Sequence, residues 1–169
     1  MSQTSNTALA LQWIVNIFHK YQIPFQITGG LAAKAYGSTR PLNDIDIDVP
    51  EEHITEMFSD VQDYRIFGPK RYRDERWDTM LLTLKYKNQL IDIGGAYATK
   101  ICDVNSGRWI PVQCNFSTAI EHSLFDIRVP VVCPTDLILY KRLLKGKHQK
   151  QDIAAIEKYL CNPSPFIDK

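Results

Sequence analysis

The sequence predicts an α/β (α+β) fold: a short mixed β-sheet flanked by helices, with further helices at the C-terminus. Three observations carry that expectation: an amphipathic N-terminal segment, a strictly alternating Asp-Ile-Asp-Ile-Asp run at 44–48, and two helical periods after Pro134. From Thr7 to Tyr21 the apolar residues Leu11, Ile14, Phe18 and Tyr21 recur at helical spacing, and Pro24 lies just beyond. Phe25 to Thr28 reads as a short strand running into Gly29-Gly30, and Leu31 to Tyr36 as a helix ended by Gly37. Asn43 to Val49 puts Asp44, Asp46 and Asp48 on one face and Ile45, Ile47 and Val49 on the other, the two-residue period of a half-buried strand. Pro50-Glu-Glu opens a helix expected to last to about Gln62, with acid where the helix dipole favours it.

Phe67 to Arg76 mixes charge with a Gly-Pro pair and reads as a mobile basic loop or a ragged hairpin. Trp77 to Lys85 and Gln89 to Ile93 are strand-like runs joined near Lys87-Asn88, and Gly94-Gly95 ends the second. Trp109 to Cys114 and Arg128 to Cys133 are further short strands, with a weakly helical Ser117 to Leu124 between them. Pro134 to Leu144 and Gln151 to Leu160 are helices separated by the basic Lys145-Gly-Lys-His-Gln-Lys turn, and Pro163 to Lys169 is expected to be a loose tail. The expected organisation is a core over 1–133 that includes the N-terminal helix, a helical appendage over 134–162 and a tail over 163–169.

The chain of 169 residues carries 20 Lys+Arg against 19 Asp+Glu, so any binding to a polyanion must come from a local patch rather than a whole-molecule field. Apolar-rich uncharged stretches such as Ala8 to Phe18 and Tyr21 to Ala33 are short of the roughly 18 apolar residues of a spanning helix and are broken by Gln, Asn, Pro or Gly, which argues against a membrane protein. No basic segment followed by an apolar run opens the chain, so a cytoplasmic location is expected. Cys102, Cys114, Cys133 and Cys161 form no C-x-x-C pair and have no His at zinc-site spacing, so they are expected to be structural thiols.

The chemistry concentrates in the acidic strand. Same-face carboxylates about 7 Å apart along a strand repel one another unless something positive sits between them, and a divalent cation is the natural neutraliser. The plainer explanation is a solvent-facing acidic strip. An EF-hand is excluded, because Val49 stands where the calcium loop needs Gly and the intervening Ile residues favour an extended strand. Upstream, Gly29-Gly30 lies between a strand and a helix, where backbone N–H groups can receive phosphate; without the neighbouring acids, a plain turn is the better reading. Ser38, Thr39 and Arg40 offer hydroxyls and a guanidinium suited to phosphate oxygens, although Arg40 can equally pair with a nearby Asp. Asp92, flanked by aliphatic residues in a strand, needs a partner for its charge. Three carboxylates from two neighbouring strands can hold two Mg²⁺ ions about 3.5–4 Å apart, the arrangement used in phosphoryl and nucleotidyl transfer.

Thr28-Gly-Gly30, Arg40-Pro-Leu-Asn-Asp-Ile-Asp-Ile47 and Leu90-Ile-Asp-Ile93 together resemble the nucleotidyltransferase superfamily of the DNA polymerase β type. Within it the chain is most similar to a small bacterial branch that includes aminoglycoside 2''-nucleotidyltransferases, lincosamide nucleotidyltransferases and toxin-type nucleotidyltransferases of toxin–antitoxin pairs. Cys133-Pro-Thr-Asp-Leu-Ile-Leu-Tyr-Lys141 and Lys150-Gln-Asp-Ile153 extend the resemblance into the C-terminal helices. The resemblance implies that Asp44 and Asp46 bind the Mg²⁺ (or Mn²⁺) ions that grip a nucleoside triphosphate. It also implies that Asp92 helps hold the second ion and serves as base toward an acceptor hydroxyl. Gly29 and Gly30 then lie against the phosphates and Lys141 projects toward them, unless Lys141 is simply part of a solvated basic face. Gly30 replaces the Ser that many relatives carry, leaving Ser38 or Thr39 as substitute hydroxyls.

The expected reaction is transfer of a nucleoside monophosphate to a hydroxyl acceptor with release of pyrophosphate. The acceptor is a small molecule such as an antibiotic, or a tRNA or protein. An RNA would have to be gripped by the Lys70–Trp77 loop and the basic cluster at 141–150, whereas a polycationic acceptor needs an acidic cleft. The competing expectation is a catalytically inactive nucleotide- or metal-binding module. Monomer and homodimer are both compatible with the sequence.

Overall fold

The computed structural model describes residues 3–162, and the tail expected at 163–169 lies outside them. Helix α1 (Gln3–Tyr21) lays Leu11, Ile14, Val15 and Phe18 fully into the core. Each such side chain contributes about 1.5–3 kcal/mol by leaving water. Strand β1 (Gln26–Thr28), helix α2 (Gly29–Ala35) and strand β2 (Asp44–Val49) follow, and β2 alternates core-facing Ile and Val with half-exposed Asp along its length.

The helix expected from Pro50 to Gln62 is broken into α3 (Glu51–Ile54), α4 (Phe58–Val61) and a 3-10 turn at Gln62–Tyr64. Ile54, Met57 and Val61 still reach the core at spacings of three and four, so burial is satisfied without a continuous helical ladder. The hairpin alternative, not the mobile loop, describes what comes next. Strand β3 (Arg65–Arg73) pairs antiparallel with β4 (Trp77–Tyr86), with irregular register around the Gly68-Pro69 pair. The Lys70–Trp77 segment is therefore the end of a strand, a tight turn and the start of the next strand. Its basic residues are partly engaged: Arg71 forks onto Asp78 through two 2.6 Å hydrogen bonds, and the Arg73 guanidinium lies 5.4 Å from the Trp109 ring centre.

Lys87 and Asn88, both at positive φ, make the two-residue turn into β5 (Gln89–Gly95). Two short strands come after it, β6 (Thr99–Cys102), which sequence reasoning missed, and β7 (Trp109–Val112). The weakly helical reading of Ser117 to Leu124 is corrected: beyond one 3-10 turn at Phe116–Thr118 this is strand β8 (Ile120–Leu124). Ile120, His122 and Leu124 share one face, and a second positive-φ turn at Phe125-Asp126 hands the chain to β9 (Ile127–Val131). Helix α5 (Pro134–Arg142) precedes α6 (Lys147–Cys161), which starts four residues earlier than expected because Gln149 joins Asp152 and Ile156 on its buried face.

The sheet runs β7-β6-β4-β5-β2-β1-β9-β8, with β3 also paired to β4. Two pairs are parallel, β2 with β5 and β1 with β9, and the rest are antiparallel. The parallel β2–β5 register sets Asp46 directly beside Asp92, so strand pairing alone brings together carboxylates far apart in sequence. Helix α6 packs against α2 and α5 beside the sheet. Among the described residues no helix is long and apolar enough to cross a membrane.

Candidate active site

Asp44 and Asp46 share one face of β2, and Asp92 adjoins them on β5. Their carboxylate oxygens lie within 4.8 Å of one another. Thr83, opposite Asp92 on β4, donates a 2.6 Å hydrogen bond to one oxygen of Asp92 and fixes the carboxylate's orientation. Burial, reinforced by Asp44 and Asp92, pushes Asp46 up to about 7, against the opposing pull of Lys141 and the Gly30 backbone N–H. Asp92 is raised as well, by burial and by Asp44, with the Thr83 hydrogen bond opposing. A cluster of hard oxygen donors that resists carrying its full negative charge fits a Mg²⁺ or Mn²⁺ ion.

Helix α2 begins against this cluster. Gly29 adopts φ +61, and a Cβ there would collide with the Asp46 carboxylate, so glycine is required by both the backbone and the close approach. Gly30 gives its N–H to Asp46, and the space a side chain would take is filled by the Arg40 guanidinium. A cation from the following loop thus packs where a side chain at Gly30 would lie.

Three of the remaining expected phosphate ligands, Ser38, Arg40 and Lys141, converge on a residue that the sequence reading did not single out as functional. Asp152 on α6 is fully buried; it accepts 2.8 and 2.9 Å hydrogen bonds from Arg40 Nε, one of 2.7 Å from Ser38 and one of 2.8 Å from Lys141 Nζ. Arg40 therefore takes the ion-pair alternative. Burial pushes the Asp152 carboxyl up, but its bonds to Arg40, Lys141 and Ser38 prevail and hold it below the usual range. Lys141 is buried, not solvated, and also bonds Gln149 at 3.2 Å. Burial pulls its ammonium down, against the upward effect of Asp152. Thr39 is exposed on the turn after α2 and does not line the cavity formed by its neighbours. The signal that could have found Asp152 is an acid on the buried face of an otherwise basic helix start, where only paired charge is tolerated.

Two cavities meet at the acidic cluster and share Asp44, Asp46, Trp77 and Tyr140. The first, about 350 Å³, is lined by Gly29, Gly30 and four cationic side chains, Arg40, Arg76, Lys141 and Lys145. The second, about 400 Å³, has five carboxylates in its lining, Asp44, Asp46, Asp48, Asp92 and Asp136, and neither Lys nor Arg. Asp48, the surplus acid of the strand, faces this second cavity and accepts a 2.9 Å hydrogen bond from Gln26; burial pushes it up to about 6. The other amide atom of Gln26, Oε1, is buried without a hydrogen-bond partner among the described residues.

These shifts set a stability prediction. Asp46 titrates near 7 when folded against about 3.9 when unfolded. The folded state thus holds a proton that the unfolded chain has released, and stability falls as pH rises from about 4 to 7. Thermal unfolding in EDTA should show Tm dropping across pH 5 to 7.5, with the fall flattened in Asp46→Asn and reversed by millimolar Mn²⁺ or Mg²⁺ in the wild type only. An equal slope in the variant would contradict the assignment.

No protein-family model and no curated protein sequence matches the chain. Solved structures do. The antibiotic-resistance factor ANT(2'')-Ia in solution is 15% identical, with a TM-score of 0.65 over 94% of this chain and 86% of that one. The crystal structure of ANT(2'')-Ia in complex with adenylyl-2''-tobramycin is also 15% identical, with a TM-score of 0.60 over 91% and 89%. The lincosamide antibiotic adenylyltransferase LnuA, with lincomycin bound, is 16% identical, with a TM-score of 0.58 over 87% and 94%. At such identities the shared property is the architecture, and the chain has a nucleotidyltransferase-type fold.

Proposed function

We propose that the protein is a metal-dependent nucleotidyltransferase that moves a nucleoside monophosphate from a nucleoside triphosphate to a hydroxyl on a small, amine-bearing acceptor, releasing pyrophosphate. The observation that carries this reading is the meeting of a cationic and an acidic cavity at one carboxylate cluster. A triphosphate tail suits the first cavity. An acceptor with a positive charge suits the second, whose lining adds Asp48 and Asp136 to the carboxylate cluster and holds no Lys or Arg.

In this reading Asp44, Asp46 and Asp92 hold Mg²⁺ or Mn²⁺, which supplies Lewis-acid polarisation of the α-phosphate and offsets charge in the transition state. Gly29 and Gly30 let the Asp46 carboxylate and the Arg40 guanidinium pack against the start of α2 in the lining of the cavity that takes the phosphates. Arg40 and Lys141, held in place by Asp152, present positive charge behind them. Asp92, with one oxygen bound to Thr83 and its proton affinity raised, accepts the proton of the attacking hydroxyl. Trp77 and Tyr140 wall both cavities and orient the two substrates across the cluster. A module that only binds nucleotide would have no use for the acidic cavity beside the intact triad.

The test is pyrophosphate release from each of ATP, GTP, CTP and UTP with Mg²⁺ or Mn²⁺, against a panel of amino-polyols, neutral polyols and RNA. Release stimulated at least about tenfold by an amine-bearing polyol and by neither other class is expected. Stimulation by RNA alone would overturn the acceptor assignment.

A further inference from the structure

The expected phosphate-binding cations are already partly spent inside the fold. Arg40, Lys141 and Asp152 form one buried cluster with a single net positive charge, and that charge faces Asp44 and Asp46 as well as any ligand. A polyanionic phosphate tail in the 350 Å³ cavity therefore needs positive charge from elsewhere. Two cations in that lining make no side-chain hydrogen bond or ion pair among the described residues: Arg76, half-buried at the tip of the β3–β4 hairpin, and Lys145, exposed between α5 and α6.

The backbone at Arg76 is held in position. Asp74 accepts hydrogen bonds from the N–H groups of Arg76 and Trp77 at 2.7 and 2.6 Å, and Tyr72 binds the same carboxylate at 2.7 Å. On the other side, Cys102 N–H donates to the Arg76 carbonyl at 2.8 Å. The main chain is fixed at both peptide groups while the guanidinium, whose charge also acts on Asp74, makes no hydrogen bond or close ion pair among the described residues and borders the cavity, the arrangement of a preorganised anion ligand. Its neighbour Trp77 stands between the two cavities.

We infer that Arg76, seconded by Lys145, is the cation that grips the phosphate tail of the donor in the cavity whose lining it shares with Arg40 and Lys141. The inference rests on the nucleotide reading above but assigns the grip to a hairpin that the family-like motifs do not include. It also gives the basic Lys70–Trp77 segment a specific task, carried out by one residue at its end.

The experiment is calorimetric titration of Mg²⁺-ATP and of inorganic tripolyphosphate with Mg²⁺ into the wild type, Arg76→Gln, Lys145→Gln and, as a distant charge control, Lys87→Gln. Titrations run at 50 and 300 mM KCl. Arg76→Gln is expected to weaken both ligands about tenfold or more, on the scale of a charge-assisted hydrogen bond, and the loss should persist at 300 mM KCl because contact pairs are screened less than distant ones. Lys145→Gln should weaken both by a smaller factor that shrinks with salt, and Lys87→Gln should change nothing. Wild-type affinity retained within twofold in Arg76→Gln would overturn the inference while leaving the nucleotide site standing. Absence of binding of either ligand to the folded wild type would overturn the nucleotide reading and the inference with it. Since Arg76 and Lys145 make no side-chain bonds, both variants should match the wild-type Tm within about 2–4 °C.

Discussion

Changing Asp152 to Asn should lower the stability of the fold by about 3–5 kcal/mol, the scale on which removing one partner of a buried ion pair acts. The Asp152 side chain is fully buried and holds Arg40 and Lys141, whose side chains are 16% and 1% exposed. Asn keeps the volume but leaves both cations uncompensated in a low-dielectric site. For a domain of this size the corresponding drop in Tm is about 2–4 °C for each kcal/mol. The effect is specific to the cluster: in Lys141→Met the same substitution should cost markedly less, because one of the two stranded charges is gone. Urea denaturation of the four proteins of that cycle checks it, and additive costs would show that Asp152 and Lys141 do not act together. Where Asp152→Asn still folds, its affinity for triphosphate should fall too, since the cations behind the phosphates lose their anchor.

Asp44→Asn and Asp46→Asn should each reduce transfer by at least about 10³-fold while the fold persists, the loss expected when an electrostatic ligand at the reacting centre is removed. Both side chains are half-exposed at the cavity junction, so neither change opens the core. The Asp46→Asn protein should indeed be more stable than wild type without metal at pH 8, because the cost of burying the Asp46 charge, and its repulsion by Asp44 and Asp92, are relieved. Gain of metal-free stability together with loss of turnover separates a functional carboxylate from a structural one. A variant that loses both would place Asp46 among the residues that build the sheet.

Much of the site was legible because strand periodicity is unambiguous. Alternation put Asp44 and Asp46 on one face, and an isolated acid among aliphatics marked Asp92. What sequence could not supply was the register that sets Asp46 beside Asp92, which depends on β2 and β5 pairing in parallel across some forty intervening residues. Long-range charge pairing was equally hidden: Ser38, Arg40 and Lys141 were visible as polar candidates, yet their common partner lies more than a hundred residues from the first two. Secondary structure was misjudged where local pattern was weak. Ser117 to Leu124 lacks a strong period, and its strand character comes from pairing with β9 across the Phe125-Asp126 turn. Arg76 lay within a segment noted for its charge, but only the Asp74-capped turn shows which of its basic side chains borders the cavity.

The central claim is that Asp44, Asp46 and Asp92 form a metal-dependent nucleotide site. Calorimetric titration of ATP, GTP, CTP and UTP, with Mg²⁺ and with EDTA, into the wild type and the Asp44→Asn/Asp46→Asn double variant tests it most directly. The account predicts binding of at least one triphosphate that requires Mg²⁺ and is lost in a double variant that remains folded. Triphosphate binding that is equal in EDTA, or retained in the folded double variant, would contradict it.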